Sequence, residues 1–154
     1  MSMMQRSYKI FADYFQFYLW DPGAQPDAPT DYAAIDNQNR LKVGENIVVV
    51  LPERNMTVPV TIELLDDEPE LDPAQWDHIA EASLELPSGR LEIHECTGES
   101  IDVLSLGEGC YRVRVCFSGL HTLSENGLDG DDHYAISLWP APYTHLSVIK
   151  QFER

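Results

Sequence analysis

Trp76-Asp77-His78-Ile79-Ala80-Glu81-Ala82-Ser83-Leu84-Glu85-Leu86, then Pro87-Ser88-Gly89-Arg90, then Leu91-Glu92-Ile93-His94-Glu95, is the stretch whose reading decides the fold. Its even positions from Trp76 to Leu86 are apolar or aromatic. Its odd positions are polar except Ile79. A period of two is that of a half-buried strand. Pro87 to Arg90 supplies a turn and alternation resumes at Leu91, so the stretch predicts a β-hairpin with Leu86 facing Leu91. Asp72-Pro73 is also a good helix start, which makes a helix over residues 73–82 the rival reading.

Working outward, the strand period dominates. Residues 8–20, YKIFADYFQFYLW, are aromatic and poor in helix formers; they read as one long first strand, apolar on both faces and central in its sheet. Asp21-Pro22-Gly23 stops it, and a Pro-, Asp- and Ala-rich loop follows to Gln38, with one helical turn after Thr30. Ile47 to Leu51 is a buried strand closed by Pro52. Thr57 to Leu65 is another, and its Pro59 implies an edge position or a bulge. Further strands are read at Ile101 to Leu106, Tyr111 to Phe117, His133 to Trp139 and, at an edge, His145 to Phe152. In the strand at 111–117, Tyr111, Val113, Val115 and Phe117 share one face, while Cys110, Arg112, Arg114 and Cys116 take the other. Eight or nine short strands with little helix predict a mainly β fold, an antiparallel two-sheet sandwich or jelly-roll-like pair of sheets. No internal repeat or linker divides residues 1–154, which read as a single β domain.

The charge is the second strong signal. Ten Lys and Arg stand against 26 Asp and Glu, a formal net charge of −16. A field of that sign repels nucleic acid and anionic membranes and attracts basic partners, although high charge also serves solubility. Arg112 and Arg114 are the closely spaced pair that could seed a basic patch. The three cysteines, Cys96, Cys110 and Cys116, form no C-x-x-C and fit free thiols in a reducing compartment. Met1 to Arg6 lacks the apolar core of a signal peptide, and no apolar run reaches membrane-spanning length. The expectation is a cytoplasmic protein.

Candidate chemistry is sparse. Asp129, Asp131, Asp132 and His133 around Gly130 could ligate a hard cation such as calcium, but the spacing misses the EF-hand pattern and suits an ordinary tight loop equally well. His78, His94, His121, His133 and His145 contain no H-x-H; His121 and His133 flank one loop, where they could converge near Asp129. On the predicted hairpin, Ser83 and His94 project near one another with Glu81 and Glu85 alongside, so a Ser-His-Glu relay can be drawn, without an oxyanion hole. No nucleophile elbow or phosphate-binding loop occurs. No cofactor is implied. Two acidic clusters remain, Asp66, Asp67, Glu68 and Glu70 in one and Asp129, Asp131 and Asp132 in the other. Set on a rigid scaffold, they can imitate a phosphate backbone or cap a basic active site.

The opening aromatic segment from Tyr8 to Leu19, the mid-chain β run and the small acidic frame resemble the competence protein J-like nuclease inhibitors. The likeness lies mainly in the first third of the chain. Residues 127–134, GLDGDDHY, have no counterpart in it. In size and composition the chain also resembles acidic bacterial immunity proteins that neutralise toxins. These resemblances imply a small cytoplasmic, non-enzymatic protein that masks a basic partner, a nuclease or other toxin. The alternative is a carbohydrate- or calcium-binding β-sandwich domain using the loop from Asp129 to His133.

Overall fold

The alternating segment ending at Leu86 is a strand, and it lies next to the edge strand of one of two sheets. In the computed structural model, which describes residues 2–153, the strand runs from His78 to Leu86. The Asp72-Pro73 start makes only a three-residue 3-10 turn, Pro73–Gln75, with Asp72 accepting from the Ala74 amide. Numbered along the chain, the strands are β1 (Ser2–Phe11), β2 (Phe17–Trp20), β3 (Leu41–Gly44), β4 (Ile47–Val50), β5 (Thr57–Leu65), β6 (His78–Leu86), β7 (Arg90–Glu95), β8 (Ser100–Ser105), β9 (Gly109–Ser118), β10 (His133–Pro140) and β11 (Ser147–Lys150). One helix, α1 (Ala34–Asn39), lies in the loop where a helical turn is expected.

The strands form a six-stranded sheet, β1-β5-β10-β9-β6-β11, and a five-stranded sheet, β3-β4-β2-β7-β8. All pairs are antiparallel except β5 with β10, which is parallel. The sandwich expectation holds, with eleven strands instead of eight or nine. One extra strand is β3, four residues long and too short to show a period. The other comes from the opening segment.

That opening segment is two strands in different sheets. β1 is an edge of the six-stranded sheet, whereas β2 is the middle of the five-stranded one. Between them Ala12 is fully buried and a 3-10 turn over Asp13–Phe15 carries the chain across. Only β2 is apolar on both faces for the reason inferred. Phe17 and Leu19 enter the core between the sheets, while Tyr18 packs with Ile47, Val49 and Leu51 beneath the loop carrying Ala28 and Tyr32.

The predicted hairpin is the other correction. β6 pairs with β9 and β11, and β7 pairs with β2 and β8. Pro87 to Gly89 therefore arches from one sheet to the other. Ala80, Ala82, Leu84 and Leu86 meet Leu91 and Ile93 across the core, face to face and not side by side. Gly89 makes the arch possible: its φ is +75°, and a Cβ there would lie 2.9 Å from the Glu108 amide nitrogen. Pro59 also departs from expectation, since β5 is an interior strand. The β10 ladder begins one residue later, with Tyr134 opposite Val60, so the missing N–H falls at the ladder's end.

Candidate functional site

The acidic loop after β5 is a strap across the outer face of the six-stranded sheet. β5 ends at Leu65, one residue past the Leu64–Leu138 pair, and β6 begins at His78 opposite Phe117. The intervening chain must therefore run back along β9 and β10. Arg114, nearly buried, holds it down. Its Nε donates to Glu81 Oε2 at 2.7 Å, its Nη2 to Glu68 Oε2 at 2.9 Å and its Nη1 to the Pro69 carbonyl at 3.2 Å. The guanidinium also lies 4.8 Å from the centroid of the buried Trp139 ring. Glu68 is thus occupied in fastening the strap, while Asp67 and Glu70 stand exposed with Asp66.

The second cluster divides in the same way. Asp129 and Asp131 are exposed, whereas Asp132 is fully buried. One Asp132 oxygen accepts from Arg54 Nε at 2.8 Å, and the other accepts the Tyr134 hydroxyl at 2.5 Å. Tyr134 in turn accepts the Glu53 amide at 3.0 Å. Burial, and then the Asp132 carboxylate, push the Tyr134 phenol well above its usual range. Asp132 is therefore corrected from a partner-facing residue to a structural one, because both its oxygens are consumed inside the fold. The same geometry removes it from the expected cation site. His133 is half-buried and stands 3.4 Å from Thr61 Oγ1, and burial lowers its pKa. No group of three metal-capable side chains gathers among the described residues.

The two clusters do not form one patch. The strap leaves the sheet at the end of β5, whereas the 119–132 loop enters β10 beside Ser118, at the opposite end of the β9–β10 ladder. The drawn Ser-His-Glu relay is also dismantled. Ser83 is buried on β6 and accepts the Thr144 amide, while His94 lies in the other sheet with Nδ1 against the Glu95 carbonyl. His121 and His133 do not converge, since His121 Nδ1 faces Asp77 at 3.7 Å. His78 is a core residue between the Asn39 carbonyl and the Phe152 amide. The free thiol of Cys116 is pushed by burial up to about 11, so it is no ready nucleophile.

Among the described residues, five basic side chains are held in ion pairs with the protein's own carboxylates. Arg40 is paired with Glu53, Lys42 with Asp36, Arg54 with Asp132, Arg112 with Glu81, and Arg114 with Glu68 and Glu81. Arg112 and Arg114 therefore seed no basic patch. Each pair cancels itself, so the full −16 is carried by the groups left over. No described helix is long and apolar enough to cross a membrane.

The turn between β1 and β2 brings together residues that the sequence reading assigned to a strand. Tyr14 and Phe15 are 67% and 48% exposed, at consecutive positive φ values of 56° and 57°. Bulky side chains seldom occupy that left-handed region. Phe15 stands on a ridge between two hollows of about 390 and 520 Å³. The first is walled by Tyr32, Arg40 and Leu51, the second by Leu120, Leu123 and Glu125, and Glu53 lines both. The signal in the sequence was Ala12-Asp13 inside an aromatic run, a small residue and a turn former where a continuous strand has little use for either.

No family model matches the chain, and no curated protein matches its sequence. Solved structures do match its architecture. Crocagin biosynthetic gene J aligns over 91% of this chain and 100% of its own, with a TM-score of 0.58 and 23% identity. ComJ from Bacillus subtilis, the inhibitor of the DNA-degrading activity of NucA, aligns over 92% of this chain and 98% of its own, with a TM-score of 0.68 and 13% identity. At those identities the likeness is one of fold, and the chain has a ComJ-like fold along nearly its whole length.

Proposed function

We propose that this chain is a non-catalytic cytoplasmic inhibitor that holds and occludes a basic protein partner of the nuclease class. The carrying observation is the pairing of a ComJ-like fold with a net charge of −16, in a chain several of whose few basic groups are already paired with its own carboxylates. ComJ silences a DNA-degrading nuclease, and a nuclease's substrate channel is lined to receive phosphate. An acidic, rigid surface competes for such a channel and steers its approach over several ångströms. Asp66, Asp67 and Glu70 on the strap and Asp129 and Asp131 on the opposite loop are the charges we assign to this. Glu68 supports the strap through Arg114, and Asp132 supports the loop through Arg54.

The test begins with capture on the tagged chain in host extract, washed at low and high salt. A basic nuclease retained at low salt and depleted at high salt is the expected result. The purified partner is then titrated against a variant carrying D66K, D67K, E70K, D129K and D131K. Association slows about tenfold or more at low ionic strength, and its salt dependence flattens. Failure to retain any basic protein, or a variant with unchanged rate and salt slope, would overturn the reading.

A further inference from the structure

The strongest unexplained feature of the surface is the pair Tyr14 and Phe15. Two adjacent aromatic residues in the left-handed region are strained, and Asn or Gly would relieve that strain. Exposed aromatic rings gain nothing in compensation from the core. The backbone nevertheless holds them there from several sides. Ala12 N donates to the Met56 carbonyl at 3.0 Å, and Phe15 N donates to the Ala12 carbonyl at 3.0 Å. Asp13 accepts the Tyr14 amide at 3.1 Å and the Thr97 hydroxyl at 2.6 Å. The rings are thus presented on a knuckle whose backbone is held in place before any contact.

Around the knuckle the surface has the make-up of a binding centre. Phe11 and Met56, 39% and 38% exposed, extend the apolar area on the side of the Ala12–Met56 bond. A hollow lies on each side of Phe15. The rim is acidic: Asp13 and Glu95 bind the turn's own backbone and Thr97, and Glu125 lines the second hollow. Asp129 and Asp131 follow on the same loop, whose Leu128 carbonyl accepts from Arg54. Of the cations at this end, Arg40 and Arg54 are both committed to carboxylates of the fold. Rigid aromatic anchors flanked by concavities and ringed by uncompensated negative charge match a basic protein surface.

Resting on the inhibitor reading above, we infer that the Tyr14–Phe15 knuckle is the anchoring centre of the contact with the basic partner, with the 125–131 loop as its charged flank. The strap's acidic residues are not part of this contact; they follow directly on the end of β5, the end of the β9–β10 ladder away from the 119–132 loop, and act only on the approach.

The experiment titrates the purified partner from the salt-graded capture with three forms of the full chain: wild type, Y14N/F15N, and D66K/D67K/E70K. Asn tolerates positive φ, so Y14N/F15N removes the rings while easing the backbone. Its urea midpoint is expected to match or exceed that of the wild type, while its dissociation rate rises about thirtyfold or more. A ring pair kept for folding would give the reverse, a lowered midpoint with unchanged dissociation, and would overturn the inference. The strap variant is expected to slow association at low salt and leave dissociation within about threefold. If D66K/D67K/E70K raises dissociation and Y14N/F15N does not, the anchor lies on the strap: the inhibitor reading stands and this one fails. If the wild type itself holds no basic protein, the inhibitor reading fails first.

Discussion

His78 is neutral because of what surrounds it. Its Nδ1 accepts the Phe152 amide at 3.1 Å, so the proton sits on Nε2 and is donated to the Asn39 carbonyl at 2.8 Å. Burial, the largest influence, lowers its pKa to about 4 from an ordinary 6.5. A second proton would face the Phe152 N–H. The unfolded chain therefore takes up a proton below about pH 6.5 that the folded chain refuses until about pH 4, and stability is lost as the pH falls across that window. Urea unfolding at about pH 7 and about pH 4.5 should show the wild type losing about 2 kcal/mol more than a His78→Gln variant. Equal losses would place His78 in water. Asp21 behaves oppositely. Burial alone would raise its carboxyl, but bonds from Ser88 Oγ and N and from the Gly23 and Ala24 amides outweigh it and hold the pKa below 3.8. Its contribution is complete above that value and disappears only as the pH falls through the lower, folded one. Asp21→Ala strands the Gly23 amide and, at the β6–β7 arch, the Ser88 amide and hydroxyl, while the Ala24 amide keeps the residue-21 carbonyl; a loss of about 3 kcal/mol at neutral pH is expected by urea titration.

Among the elements, the strap depends on one guanidinium. Arg114 is 3% exposed and joins Glu81 on β6, Glu68 and Pro69 on the strap, and Trp139 on β10. Arg114→Met keeps much of the packing on Trp139 but leaves Glu81 beneath the strap without its main partner. Breaking a buried pair on one side costs about 3 kcal/mol, and the midpoint in urea should fall accordingly. Limited proteolysis should then cut within residues 66–75 faster than in the wild type. A strap released without loss of global stability would show that the pair orders only the loop. The arches are elements of another kind. Alternation over 78–86 and 90–95 was plain in the sequence, yet it describes a hairpin and an inter-sheet arch equally well. What distinguishes them is which neighbours satisfy each strand's edges. Here β9 and β11 flank β6, while β2 and β8 flank β7.

At the scale of the molecule, a charge of −16 on 154 residues repels itself. Raising NaCl from about 0.01 M to about 0.1 M contracts the Debye length from about 30 to about 10 Å, so the thermal midpoint should rise by a few degrees. The internal pairs at Arg40, Arg54 and Arg114 are shielded from the solvent and contribute little to that dependence. A midpoint that falls with salt would mean that exposed ion pairs, and not repulsion, dominate. The same screening weakens attraction to a basic partner, so stability and binding are expected to move in opposite directions with ionic strength.

Composition and period two were enough to establish an acidic, mainly β chain. They also placed most strands, down to the inward face of β9 at Tyr111, Val113, Val115 and Phe117. These are local properties: a side chain's polarity and its neighbour's alternate along the chain itself. Tertiary structure alone decided which strands share a sheet, because sheet edges are satisfied by residues far away in sequence. It also decided which acidic residues face the solvent. Asp131 and Asp132 are adjacent and identical in type, yet only Asp132 meets Arg54 and Tyr134 and is buried. Tyr14 and Phe15 read as strand because aromatic residues favour strands. They became an exposed knuckle because Ala12, fully buried, and the bond to Met56 turn the chain from one sheet to the other at that point.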